Sequence, residues 1–375
     1  MWRVADRTDV VVYRDPAAYA SHPCLTRLGD GDLLVAFNET LPRRPYLHPP
    51  DDPRSLTLVA RSSDDGATWS APRAAPGYHL TGVECPSITQ ISSGDVLLVQ
   101  WRFEWLPLEA ARERARQSGY QESFVIAGSG LSEAAPAAAE ADWDAAPLAW
   151  ARTDAGLCCS MSSDSGRTWH TTVPVPLAPF RRGYSPRPPV ELPDGTLLLA
   201  LSSHDEFGVL YVVRSTDGGR TWAEPPVVVD ATVGLAEPSL LLVPGGHLLL
   251  VARHDGSGYL YQCESLDGGW TWSVPRQLPV WGYPPHLLWL ADGRVLLTYG
   301  VRRSPYGIRA CVSADAGRTW DVANEIIIRD DLGSANLGYP TAVELSAGRV
   351  LVVYYAEDLA GVTLIMGSQM KLPRA

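Results

Sequence analysis

Ser62-Ser63-Asp64-Asp65-Gly66-Ala67-Thr68-Trp69 is one of five copies of the pattern Ser-x-Asp-x-Gly-x-Thr-Trp; the others start at Ser162, Ser215, Ser265 and Ser313. An Asp that bonds its own backbone, followed by a Gly tolerant of positive φ, makes a tight turn, and the Thr-Trp pair suits the start of a strand. Each copy therefore predicts the turn of a β-hairpin. The starts are 100, 53, 50 and 48 residues apart, so the period is near fifty and the first interval holds two units or a large insertion. Repeats of that length belong to stacked or radial architectures, in which each unit buries its apolar face on its neighbours.

A second repeat lies upstream of each turn: a short apolar strand, a turn with Gly, then a run of Leu and Val. The turn glycines are Gly31, Gly94, Gly195, Gly246, Gly293 and Gly348, followed by strands such as Leu33-Leu34-Val35-Ala36-Phe37 and Val350-Leu351-Val352-Val353-Tyr354. Near-continuous apolar strands are covered on both faces, as sheets packed between neighbouring sheets must be. Six such units predict an all-β chain, a six-bladed β-propeller, spanning 1–375 as one domain. The sixth unit lacks the Asp motif, and the N-terminal stretch Asp9-Val10-Val11-Val12-Tyr13 is available to close the ring.

Composition agrees with a turn-rich globular chain: 375 residues, 46% hydrophobic, 19% charged, 33 Gly and 31 Pro, with net charge -11. An acidic chain without a basic run is a poor binder of nucleic acid. No apolar run of about 20 residues suggests a membrane span, and the N-terminus does not read as a signal peptide, so a soluble, cytoplasmic protein is expected. The six cysteines have no metal-ligand spacing and read as buried free thiols; no metal or other cofactor is expected.

If strands A to D of each blade run outward from the axis, the Gly turn (A to B) and the Asp motif (C to D) share one end of the propeller. The chain between B and C lies at the other end. From turn Gly to motif Ser, blades 3, 4 and 5 use 20, 19 and 20 residues, whereas blade 1 uses 31 and blade 2 uses 68. The extra chain, including a blade 2 insertion at about 103–154 with a helical stretch near Leu108 to Arg116, therefore projects from the end opposite the Asp motifs.

With five Asp motifs on a six-unit repeat, the chain resembles the sialidase (neuraminidase) superfamily, whose repeated Asp boxes have this spelling and whose catalytic domain is a six-bladed propeller. The boxes are structural in that family. The resemblance implies an exo-glycosidase with a Tyr nucleophile assisted by a Glu, an Asp acid/base and three Arg that hold the substrate carboxylate, without a cofactor. A neutral phenol beside a carboxylate-bearing anomeric carbon avoids the repulsion a carboxylate nucleophile would meet. Tyr339, in Gly338-Tyr339-Pro340, matches the nucleophile. Glu237, in Glu237-Pro238-Ser239, matches its base, and Asp51, eleven residues before Ser62, matches the acid/base, with Asp52 beside it as a substitute. Arg253 matches one carboxylate-binding Arg, and Arg302 and Arg303 are candidates for another.

The first strand departs from the family. Sialidases carry Arg-Ile-Pro where this chain has Ser21-His22-Pro23, so one carboxylate-binding Arg is missing. Either Arg102, at the end of strand B in blade 2, replaces its charge, or His22 and Glu84 retune the site for another sugar. The leading expectation is a glycoside hydrolase acting on a terminal, acidic sugar. A lyase or hydrolase of uronic or deoxy sugars working through His22, and a carbohydrate-binding propeller without catalysis, are the alternatives. His204-Asp205-Glu206, His254-Asp255, Tyr283, His286, Trp101 and Trp105 fall on the same end.

Overall fold

The computed structural model describes residues 2–4, 6–40, 55–76, 82–118, 124–127, 130–131, 150–180, 183–203 and 208–373. They form six sheets arranged as the blades of a β-propeller, each built on an antiparallel set of strands running outward from the axis; Trp2–Arg3 adds a parallel strand to the outer edge of blade 5. The inner strands A are Tyr19–Arg27, Val83–Gln90, Val190–Glu191, Leu235–Val243, Pro285–Trp289 and Gly338–Ser346. The expected closure is present: Thr8–Tyr13 pairs with Thr363–Lys371 as the outer strand of blade 6. The second and last described strands thus share one sheet, and the ring is latched there by backbone hydrogen bonds.

Strand B of each blade is almost completely buried, as in Leu197–Ser202 and Val295–Val301. These strands supply the Leu and Val layers between neighbouring sheets. The Asp motifs turn as expected: Ser62 and Thr68 hydroxyls donate to Asp64, while the Gly66 amide donates to Ser62 Oγ at 2.9 Å. Positive φ is one reason for Gly in the motif, and the packing adds a second. Gly66 abuts Leu351 of blade 6 and Gly317 abuts Leu249 of blade 4, where an added Cβ would stand 2.6 Å and 2.4 Å from the leucine methyls. The turns are spacers between blades as well as hairpin ends.

The innermost strands are stitched to one another. The Ile88 amide donates to Cys24 Sγ, Leu287 to Ser239 Oγ, Ala342 to His286 Nδ1 and Leu25 to Thr341 Oγ1, at 3.0 to 3.4 Å. His286 is thereby a structural link between blades 5 and 6. All six cysteines are free and buried, as expected.

In blade 2, the two ends of the expected insertion continue the blade. Strands B and C extend to Val96–Pro107 and Trp150–Ser162, pairing as far as Trp150 with Pro107, and the helical stretch forms an α-helix over Leu108–Ser118. No described helix is long and apolar enough to cross a membrane.

Candidate active site

Four inner strands share one irregularity near their starts. Between Ser21 and Cys24, Glu84 and Ser87, Ala236 and Ser239, and Gly338 and Thr341, strand A carries one residue more than strand B opposite it. In each of these β-bulges the residue before a proline has left-handed backbone: His22 (φ 52), Cys85 (φ 49), Glu237 (φ 51) and Tyr339 (φ 52). Proline has no N–H to leave unpaired at the bulge. A non-glycine residue held at this φ costs on the order of 1 kcal/mol or more, and such outliers concentrate at functional sites. All four side chains are buried, at most 5% exposed, and they converge at the axis.

The Tyr339 hydroxyl donates a short hydrogen bond to Glu237 Oε1. Burial first, and the Glu237 charge second, push the phenol well above its ordinary pKa, so Tyr339 is a neutral donor and Glu237 its acceptor. The other Glu237 oxygen accepts from Arg253 at 2.5 Å, and Arg253 Nε donates to Asp255. Arg302 donates to the Leu337 carbonyl (2.8 Å) and the Tyr355 hydroxyl (3.2 Å), with its guanidinium 5.9 Å from the centre of the Tyr339 ring. Tyr283 lies under both cations, 4.6 Å from Arg253 and 5.6 Å from Arg302. Two guanidinium groups and the Glu237 carboxylate therefore surround one phenol.

His22 packs edge-on against Tyr339, ring centroids 4.2 Å apart, and its Nδ1 bonds Ser21 Oγ at 2.8 Å. Its Nε2 stands 3.7 Å from Glu84 Oε1. The fold thus brings Tyr339, Glu237, Arg253, Arg302, His22 and Glu84 to one place. Of the two neighbouring arginines, Arg303 points outward and stacks on Trp281 at 4.0 Å, because adjacent residues past a strand end face opposite ways. Arg102 lies against the Cys158 thiol of the neighbouring strand, opposing the effect of burial on it. Trp101 stacks on Tyr184 at 5.0 Å and Trp105 is buried in blade 2. Asp51, Asp52 and His204-Asp205-Glu206 lie outside the described residues.

Two further groups escaped sequence reasoning. Arg187 is buried at the start of blade 3 and donates to the backbone carbonyls of Pro186, Pro285 and Pro340, at 2.9 to 3.3 Å. It fastens the bulge after Tyr339 from below and adds a third cation near Glu237 and Tyr339; burial lowers its pKa. The signal was the proline-flanked Ser185-Pro186-Arg187-Pro188, which repeats the x-Pro spelling of the other inner strands. The second is Cys85, which shares the left-handed position with the three polar residues and lies beside Glu84 and Glu237, both of which add to burial in raising its thiol pKa.

Residues 144–352 match the BNR repeat-like domain family. No curated protein matches the sequence. Among solved structures, a protein of unknown function from Dyadobacter fermentans is 27% identical over 99% of this chain and 100% of its own, with a TM-score of 0.81. The intramolecular trans-sialidase from Ruminococcus gnavus is 15% identical, with 96% of each chain covered and a TM-score of 0.66. The Penicillium chrysogenum α-L-arabinanase is 15% identical, with 97% and 98% covered and a TM-score of 0.59. Both of the last two share the propeller fold with this chain.

Proposed function

We propose that this chain, which belongs to the BNR repeat-like domain family, is a sialidase-like exo-glycosidase that hydrolyses a terminal acidic sugar with retention, using Tyr339 and Glu237 as a nucleophile pair. The carrying observation is the hydrogen bond from the Tyr339 hydroxyl to Glu237. A phenol kept neutral by burial must lose its proton as it attacks, and Glu237 is in contact to take it. The Tyr339 oxygen then bonds the anomeric carbon while the glycosidic C–O bond breaks, and the acid/base, assigned from the sequence to Asp51, protonates the leaving oxygen. In the second half, the same acid/base removes a proton from water, which displaces Tyr339 from the sugar, and Glu237 returns the proton to the phenolate.

Arg253 and Arg302 have two roles in this scheme: they stabilise the negative charge that moves between Glu237 and Tyr339, and they attract an anionic group on the sugar. Arg303 and Arg102, directed elsewhere, are left out of it. His22, edge-on to Tyr339 and beside Glu84, favours one second reading, in which His22 is the proton-transfer group on a uronic or deoxy sugar.

The test is a panel of aryl glycosides of sialic, 2-keto-3-deoxy and uronic acids, with product configuration followed by NMR. Tyr339→Phe is expected to lower kcat by roughly 10^2- to 10^4-fold while sugar binding persists. Unchanged turnover in that variant, or an inverted product, overturns the mechanism. Full activity of His22→Ala removes the second reading.

A further inference from the structure

We infer that His22, Glu84 and Cys85 form a binding site for one divalent transition-metal ion of the zinc class, set into the wall of the axis beside Tyr339. This does not depend on the glycosidase reading. One ligand atom from each residue, a ring nitrogen of His22, a Glu84 carboxylate oxygen and Cys85 Sγ, lies within 4.8 Å of the other two, and all three residues are buried. Among the described residues no other three His, Cys, Asp or Glu side chains converge in this way.

The spacing of one pair is close to that of two ligands on a common ion. His22 Nε2 and Glu84 Oε1 are 3.7 Å apart, too far for an N–H···O bond. Two ligands about 2.1 Å from a tetrahedral ion are about 3.4 Å apart, so a small contraction closes the site.

The surroundings hold these groups in place. Ser21 Oγ bonds His22 Nδ1 at 2.8 Å and fixes the ring, the usual service of an outer-shell partner. Asn38 accepts from the Cys85 amide and donates to the Val83 carbonyl, both at 3.1 Å, clamping the backbone on either side of Glu84. His22 and Cys85 sit in matching bulges of adjacent blades, each with proline next in the chain.

The donor set names the ion class. A thiolate with an imidazole and one carboxylate suits zinc and its neighbours, whereas calcium and magnesium call for oxygen ligands alone. Three protein ligands leave a fourth position for water or a substrate oxygen. His22 as a ligand is not free to be a proton-transfer group, so this site and the second reading of the function exclude one another.

The test uses the full chain, stripped with a chelator and titrated with Zn2+ or Co2+ against a competing chromophoric chelator. One equivalent of Co2+ is expected, with tetrahedral visible bands and a sulfur-to-cobalt charge-transfer band. Cys85→Ser should lose that band while keeping its thermal melt, and Glu84→Gln and His22→Ala should weaken binding by about 10-fold or more. Tyr339→Phe should bind the ion as the parent does. A folded parent that takes up no equivalent, or a cobalt spectrum unchanged in Cys85→Ser, overturns the site. Should His22→Ala fail to fold, Cys85→Ser alone decides. An ion-binding chain that cleaves no glycoside sinks only the glycosidase proposal, and an active chain that binds no ion sinks only this one.

Discussion

The turns at one end of the propeller and the bulges at the other both need left-handed backbone, and the chain meets that need differently at each. At the Asp-motif end, Gly66, Gly166, Gly219, Gly269 and Gly317 adopt positive φ within one repeated set of Ser, Asp and Thr hydrogen bonds. At the axis, four equivalent bulges carry four different side chains, His22, Cys85, Glu237 and Tyr339. Identical residues at equivalent positions do the same structural job in each blade. Different residues at equivalent positions, each held at an unfavourable φ, indicate a constellation in which each has its own task.

The largest effect that would break this contrast is on turnover. Glu237→Gln removes the proton acceptor of Tyr339 and is expected to lower kcat by about 10^2- to 10^4-fold, with the folded fraction checked by circular dichroism. Next in size, Gly317→Ala places a methyl 2.4 Å from Leu249 at φ +89 and should destabilise by about 2–4 kcal/mol in denaturant titrations, with kcat per folded molecule unchanged. Loss of turnover in Gly317→Ala beyond the unfolded fraction would show that the two ends are not separable.

A smaller difference tests the bulge itself. Because Tyr339 has φ 52, Tyr339→Gly should be more stable than Tyr339→Ala by about 1 kcal/mol, the reverse of their order in an ordinary strand. Smallest of all is a pH effect at the other end. Hydrogen bonds from Thr68 and Ser62 lower Asp64 to about 2, so its contribution is full above the ordinary carboxylate range and is lost as pH falls through 4 toward 2. Asp64→Asn should therefore flatten the acid limb of the stability curve slightly and leave neutral-pH turnover unchanged.

Legibility followed the same division. The Asp motifs and Gly turns are local, so their repeats were readable as blade ends, and Asp9 to Tyr13 was readable as the closing strand. Tyr339, Glu237 and Arg253 were singled out by their likeness to a known motif, and the fold brings the three together. The choice of Arg302 over Arg303 was not readable, because it depends on which way the chain leaves blade 5. Nor was Tyr339 separable by pattern alone from Tyr283, in Gly282-Tyr283-Pro284, or from Tyr184, in Gly183-Tyr184-Ser185, both of which also lie just before an inner strand. Only Tyr339 among them takes the left-handed bulge and meets Glu237.

What the sequence by itself determined is the number of blades, their order and the end of the propeller from which the extra chain projects, since each depends on residues within about fifty positions of one another. Only the tertiary structure decided that His22, Glu84 and Cys85 meet, and that Arg187 underlies Tyr339. His22 comes from blade 1, Glu84 and Cys85 from blade 2, Arg187 from the start of blade 3 and Tyr339 from blade 6, and their distances are set by how the inner strands close around the axis.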